Sequence, residues 1–172
     1  MKIDLEPLER SDFSKIRDWI DPDIFRIFKA PVDDEQLEML LSKEHEGRPG
    51  ELGRRAIDRD TGELVGVIHA ILNPQDDLMH IQQIVIDPRR RGQGYGQALI
   101  RCFIDYCLAR FDLHRIQLFT EEDNEPAIAC YRKAGFKVDG ILRDRVKTAS
   151  GYLGTYVFSI LSDEWKNHVS DN

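Results

Sequence analysis

Residues 84–99 read Ile-Val-Ile-Asp-Pro-Arg-Arg-Arg-Gly-Gln-Gly-Tyr-Gly-Gln-Ala-Leu, an apolar strand that runs through a proline and three arginines into three alternating glycines. Gly92, Gly94 and Gly96 remove Cβ atoms where the backbone must turn, which lets N–H groups converge on a ligand. A helix that starts there adds its own unpaired N–H groups and the positive end of its dipole. Arg89, Arg90 and Arg91 surround the loop with positive charge. The chemistry this spacing serves is the binding of a polyphosphate.

Two common phosphate loops are excluded at specific positions. No Lys-Ser or Lys-Thr pair follows the glycines, as a P-loop requires. A dinucleotide fingerprint, Gly-x-Gly-x-x-Gly, fails at Gln97 when counted from Gly92 and at Leu99 when counted from Gly94. No Gly-x-Ser-x-Gly elbow is present, so the serine-hydrolase arrangement is excluded as well. No His, Cys and Asp cluster has metal-ligand spacing, and no metal is expected.

The loop needs elements to hold it. Residues 3–8 alternate apolar and polar side chains, a first strand. Residues 12–20 and 33–44 read as two short helices separated by Asp21-Pro22 and Pro31. Strands at 52–58 and 64–72 flank Asp60-Thr61-Gly62-Glu63, a hairpin turn. A second turn at 73–77 leads into a strand at 78–86. Strict alternation there puts His80, Gln82, Ile84 and Ile86 on one face, and Met79, Ile81, Gln83 and Val85 on the other. Residues 96–110 carry Leu99, Ile100, Phe103, Ile104, Cys107 and Leu108 at helical spacing. A strand at 114–120 follows. Next comes a helix at 124–133, with Asn124 as N-cap and Pro126 in its first turn. Strands at 136–144 and 152–161 close the chain. An antiparallel run followed by one β-α-β crossover predicts an α/β (α+β) fold. Its mixed, mostly antiparallel sheet has about seven strands and about four flanking helices.

Composition narrows the class. The 172 residues favour a single domain spanning 1–172 with room for a core. Residues 1–10 are mixed and charged, unlike a signal peptide, and no apolar run reaches membrane-span length. Cys102, Cys107 and Cys130 are odd in number and fall in predicted helices, a cytoplasmic pattern of small buried apolar residues. The net charge of −7 argues against nucleic acid and suits an amine acceptor.

Two motifs then carry a resemblance. Arg91-Gly92-Gln93-Gly94-Tyr95-Gly96 fits Arg/Gln-x-x-Gly-x-Gly, and Asn124-x-x-Ala127-x-x-x-Tyr131-x-x-x-Gly135-Phe136 stands after the fifth strand. With the element order, they resemble the GNAT superfamily of N-acetyltransferases along almost the whole chain. Gly140 to Asp144, Tyr152 and the ending Ser159-Ile160-Leu161 look like its RimJ/RimL branch. The resemblance implies acetyl-CoA as cosubstrate and acetyl transfer to a primary amine by direct attack in a ternary complex. It places the pyrophosphate on backbone amides of Arg91, Gly92, Gln93, Gly94, Tyr95, Gly96 and Gln97. Ile84, Val85 and Ile86 would belong to a strand splayed from its parallel neighbour and pair with the pantetheine arm, while also filling core positions. Asn124 caps its helix and is a further contact for that arm.

The resemblance also implies the acid. It puts the Tyr131 hydroxyl near the thioester sulfur, and an ordinary phenol, with a pKa of about 10, holds a proton to give a departing thiolate. Core packing with Ile128 and Phe136 is the other reading of that tyrosine. His80 sits where several members of the superfamily place a base, and an imidazole suits the task near neutral pH. A packed strand histidine is its other reading. His69 and His114 read as structural; Glu121, Glu122 and Asp123, at the end of the fifth strand on the active-site side of such a sheet, read as a solvated loop, with attraction of a cation as their other reading. Trp19, Phe25 and Phe28 read as core or as substrate wall, with Asp21, Asp23, Asp33, Asp34 and Glu35 nearby. The acceptor is either a small amine or a protein N-terminus, and a homodimer is compatible with the family. A non-catalytic acetyl-CoA sensor or scaffold of the same fold is the rival reading.

Overall fold

The structure is a computed structural model that describes residues 2–19 and 50–170. The helix expected at 33–44, with Phe25, Phe28, His45 and the acidic residues 21–35, lies outside the described residues.

Seven strands form one sheet in the order β1-β2-β3-β4-β5-β7-β6. They are β1 (Ile3–Pro7), β2 (Glu51–Asp58), β3 (Leu64–Asn73), β4 (Leu78–Ile86), β5 (Arg115–Glu121), β6 (Lys137–Thr148) and β7 (Gly151–Leu161). The described helices are α1 (Phe13–Trp19), α2 (Tyr95–Leu108), α3 (Glu125–Ala134) and α4 (Ser162–Ser170). All pairings are antiparallel except β4 with β5, which are joined through α2. The expected mixed, mostly antiparallel sheet is therefore present. β6 runs longer than the expected 136–144, and α4 was not anticipated. Its Trp165 is buried and donates from Nε1 to Asp105 at 2.7 Å.

The sheet is covered on both faces. The apolar stripe of α2 (Leu99, Ile100, Phe103, Ile104, Cys107) packs on Val65, Ile68, Met79, Ile81, Ile116, Leu118 and Phe158. Phe13, Ile16 and Trp19 of α1 cover Leu64 and Val67 on the other face. Trp19 is thus a core residue.

The alternation expected along β4 breaks halfway. His69 pairs with Gln83 but Ala70 pairs with Ile81, so Gln82 is an extra residue, a β-bulge. One inserted residue flips every side chain beyond it. Ile84 and Ile86 consequently join Met79 and Ile81 against the α2 core, while Val85 packs with the α1 cluster. His80 therefore does not share a face with Ile84 and Ile86. A period of two could not reveal this, because the bulge is fixed by pairing with β3.

Candidate active site

The parallel ladder between β4 and β5 is short. It runs Leu78–Arg115, Met79–Ile116, His80–Gln117 and Ile81–Leu118, then stops. Five residues of β4 and three of β5 continue without pairing to each other. The strands part where the sequence resemblance expects a splay, and the β4 edge at Ile84, Val85 and Ile86 turns toward the opening, bonded on its other side to β3.

Beyond the split lies the glycine loop. Asp87 is buried, accepts from the Arg89 amide at 2.9 Å and starts a 3-10 turn over Pro88–Arg90. Gly92 (φ 74°) and Gly94 (φ 90°) hold left-handed backbone that a side chain would strain. Nothing lies within 4 Å of a Cβ built on Gly92, so its space is open. Among the described residues, the N–H groups of Gly92, Gln93 and Gly94 make no backbone hydrogen bond. Those of Tyr95, Gly96 and Gln97 are the unpaired first-turn amides of α2. Six consecutive amides at a helix N-terminus fit a pyrophosphate.

Three expectations about this loop are corrected. Arg91 is not a free amide: its N–H bonds back to Pro88 O at 3.4 Å, and its side chain reaches the carbonyls of Ile86 (3.2 Å) and Trp19 (3.1 Å). Arg89 and Arg90 are neutralised by Asp87 and Glu63, so the loop is less positive than its sequence. Gly96 does not turn the chain but lies in α2, where a Cβ would stand 3.2 Å from Cys130 Sγ. Its task is the close approach of α2 to α3. The Tyr95 ring is buried with its hydroxyl donating to Asp58, which leaves only its backbone facing the loop. Gln97 ties α2 to α3 by donating to Lys133 O at 2.9 Å.

Tyr131 projects from α3 on the α2 side of the sheet. Its ring meets Phe158 edge-on at 5.7 Å and Phe136 at 6.4 Å. Among the described residues its hydroxyl makes no hydrogen bond. Burial, with smaller contributions from Cys130 and Glu121, pushes its pKa well above the ordinary phenol value. The helix that carries it is well delimited. Asn124 Oδ1 accepts from the Ala127 amide at 3.3 Å, and Gly135 (φ 111°) ends the helix. Phe136 N then donates to Tyr131 O at 3.0 Å.

His80 faces the opposite side. It is half-buried, with its ring edge-on to Phe119 at 4.7 Å. Burial first, and then the charge of Arg145, lower its pKa below the ordinary 6.5. It is neutral at pH 7 and able to take a proton. Tyr131 and His80 are not side by side; they lie on opposite faces, and the split between β4 and β5 joins those faces.

The sequence does not single out Arg145 or Thr155, which lie on the His80 face. Arg145 stacks on the Phe119 ring at 4.9 Å from an irregular stretch of β6, where Asp144 has φ 52° and the register with β7 shifts between Leu142 and Val146. Glu121 is not simply solvated: its Oε1 is buried and, among the described residues, unpartnered. Thr155, its cross-strand partner, is fully buried with Oγ1 likewise unpartnered. An acidic residue ending a strand was the available signal, but burial and register are invisible in the sequence. Burial also raises the thiol pKa of Cys102, Cys130 and Cys107, the last to about 12, so these act as small apolar residues. No metal-ligating cluster occurs among the described residues. No described helix is long and apolar enough to cross a membrane. A separate cleft of about 560 Å³, lined by Lys15, Trp19, Glu63 and Arg89 among others, opens on the α1 side and does not include the split.

Relatives share this architecture. Residues 13–136 match the Acetyltransferase (GNAT) family. An N-acetyltransferase named p20 from Bacillus licheniformis is 26% identical over 155 residues, 86% of this chain and 85% of that one. Spermidine N(1)-acetyltransferase from Escherichia coli is 30% identical over 94 residues, covering 52% of this chain and 48%, about half, of the relative. The crystal structure of spermidine N-acetyltransferase from Vibrio cholerae, in complex with CoA and spermine, superposes with a TM-score of 0.83 at 26% identity, covering 96% of this chain and 98% of that one. With its split parallel pair and amide-lined loop, the chain belongs to the acetyltransferase (GNAT) family and is an acetyl-CoA-dependent N-acetyltransferase.

Proposed function

We propose that the acceptor is the primary amine of a small molecule and that the transfer occurs in the split between β4 and β5. The observation that carries this reading is the end of β4–β5 pairing at Ile81 and Leu118, with six free amides just beyond it. Gly92, Gln93, Gly94, Tyr95, Gly96 and Gln97 hold the pyrophosphate by their N–H groups, and the Arg91 guanidinium adds charge. The β4 edge at Ile84, Val85 and Ile86, which β5 does not pair and where only the Arg91 side chain bonds to the Ile86 carbonyl, takes the pantetheine arm as a neighbouring strand would, with Asn124 as a further contact.

Acetyl-CoA supplies the activated thioester. His80, neutral at pH 7, receives through a chain of waters the proton that the attacking ammonium must lose. The amine nitrogen then bonds to the acetyl carbon as the C–S bond breaks, and the nitrogen releases its second proton to solvent to become the neutral amide. Tyr131, kept protonated by its burial, gives its proton to the departing thiolate and recovers one from solvent. The products are an amide and CoA thiol.

Relatives acting on spermidine support a small amine over a protein N-terminus. Their names do not favour the RimJ/RimL branch. A single domain over 1–172 and a cytoplasmic location remain part of this reading. So does a homodimer, for which Val138, Ile141, Leu142 and Tyr152 leave exposed apolar surface around the β6 edge.

The test is a thermal shift with acetyl-CoA, against ATP and NAD, followed by thiol release with an amine panel. Ligand at 100 times its Kd stabilises by about 2.7 kcal/mol. A shift with acetyl-CoA alone and thiol release with small amines supports the reading. A shift with no turnover of any amine or peptide favours the sensor or scaffold.

A further inference from the structure

Two charges of opposite sign, unpaired among the described residues, flank Phe119 on the acceptor face. Glu121 follows Phe119 by two residues on β5, on the same side of the sheet and about 6.6 Å along the strand at roughly 3.3 Å per residue. Arg145 comes from β6 and lies over the Phe119 ring. Among the described residues the two do not pair with each other, and neither has another ionic partner.

Glu121 is built to receive donors. Burying a carboxylate oxygen without a donor is costly. The Thr155 hydroxyl, opposite it in register, is unpartnered too, and residues directly opposite in an antiparallel pair project from the same face. The backbone donor close by, Gly154 N–H, goes instead to Glu122 at 2.9 Å. Glu122 also fills the space a Cβ on Gly154 would need, 2.8 Å from Oε2. An ammonium, with three N–H donors and a positive charge, meets the need of Glu121 at its outer Oε2, while Thr155 lies sealed behind it. The charge of Glu121 also contributes to raising the Tyr131 pKa, so its field reaches that phenol.

Arg145 has the opposite requirement. Its planar guanidinium presents forked donors to a carboxylate or phosphate. Stacking on Phe119 orders it, and its field reaches His80. A second ammonium on the acceptor would be repelled there, whereas an anionic group would be bound.

We infer that the preferred acceptor is an amine whose chain carries an anionic group, with Glu121 holding the ammonium end and Arg145 the anion. This rests on the split as the acetyl-transfer site, and it separates this chain from relatives named for spermidine.

The experiment measures kcat/KM for γ-aminobutyrate, 3-aminopropyl phosphate, n-butylamine and spermidine, whose tails are anionic, neutral or cationic. The wild-type protein is expected to prefer the anionic tails, and the carboxylate and phosphate arms say which anion fits. In Arg145→Gln the ratio of kcat/KM for the better anionic amine to that for butylamine falls about tenfold, chiefly through KM, as loss of one charged hydrogen bond gives. Comparing a ratio at one pH cancels any change in His80. Arg145→Lys recovers part of the ratio, since it keeps the charge and loses the fork. Glu121→Gln raises KM for every amine. Spermidine as the best wild-type acceptor, or an Arg145→Gln ratio unchanged, overturns the inference. So does failure of both anionic amines while acetyl-CoA still shifts the melting temperature, which leaves acetyl transfer standing. No shift with acetyl-CoA overturns both.

Discussion

The imidazole of His80 stands edge-on to the ring of Phe119, centroids 4.7 Å apart and planes at 72°. Arg145 lies on that same ring, so one aromatic side chain holds a base candidate and a cation together. The cation and the burial act in the same direction, keeping His80 neutral down to a pH below its ordinary pKa.

That arrangement predicts a pH profile. Activity through neutral His80 rises with pH and levels off above the lowered pKa, so the acid limb of kcat/KM lies below pH 6.5. Arg145→Gln removes one cause of the depression and moves the limb to higher pH, though burial still holds it under the ordinary value. His80→Gln abolishes the limb and lowers the plateau about 10²-fold or more. A limb unmoved in both variants would assign the base elsewhere.

Tyr131→Phe is expected to lower kcat by about 10²–10³-fold with little change in acetyl-CoA affinity. Its hydroxyl has no hydrogen bond to lose among the described residues, and its ring contacts with Phe158 and Phe136 persist. The melting temperature should therefore stay within a few degrees. Steady-state kinetics and a thermal melt separate the acid role from a packing role, which would leave kcat intact.

The loop glycines should divide by mechanism. Gly92→Ala meets open space but forces a side chain into left-handed backbone, costing about 1–2 kcal/mol and weakening acetyl-CoA binding. Gly96→Ala has ordinary helical backbone but presses on Cys130 Sγ, and overpacking of that kind costs about 1–3 kcal/mol. Cys130→Ala should relieve the second variant and not the first. A double-mutant cycle on thermal stability reads the difference.

Acid stability tests the Tyr95–Asp58 bond. The tyrosine hydroxyl is the largest cause holding the Asp58 pKa below the ordinary carboxylate value, helped by the amides of Asp60 and Thr61. A depressed carboxylate contributes stability that is full above its unfolded pKa and is lost as pH falls through the folded one. Tyr95→Phe should therefore destabilise at neutral pH and move acid unfolding to higher pH. Circular dichroism across a pH titration checks both.

Much of the scaffold could be read in advance for local reasons. The strand at 78–86, the α2 stripe and the Asn124 cap each depend on residues within one or two turns of each other. Turn chemistry and side-chain period suffice there. The Gly92 and Gly94 conformations were legible for the same reason, since a left-handed turn selects the residue that allows it. Gly96 was misjudged because its constraint, Cys130, is 34 positions away and meets it only when α2 packs on α3.

What the sequence determined by itself is the glycine-rich loop and its left-handed turn, the order of elements and the identity of Tyr131 and His80 as residues able to carry protons. Composition and short-range spacing encode those directly. Tertiary structure alone decided which face each residue occupies and which charges meet. The bulge at Gln82 depends on pairing with β3, and it sends Ile84 and Ile86 to the face away from His80. Glu121 faces Thr155 only through the β5–β7 register, and Arg145 reaches Phe119 only because β6 breaks its ladder at Asp144. Register is a property of two strands at once, so neither strand's sequence contains it alone.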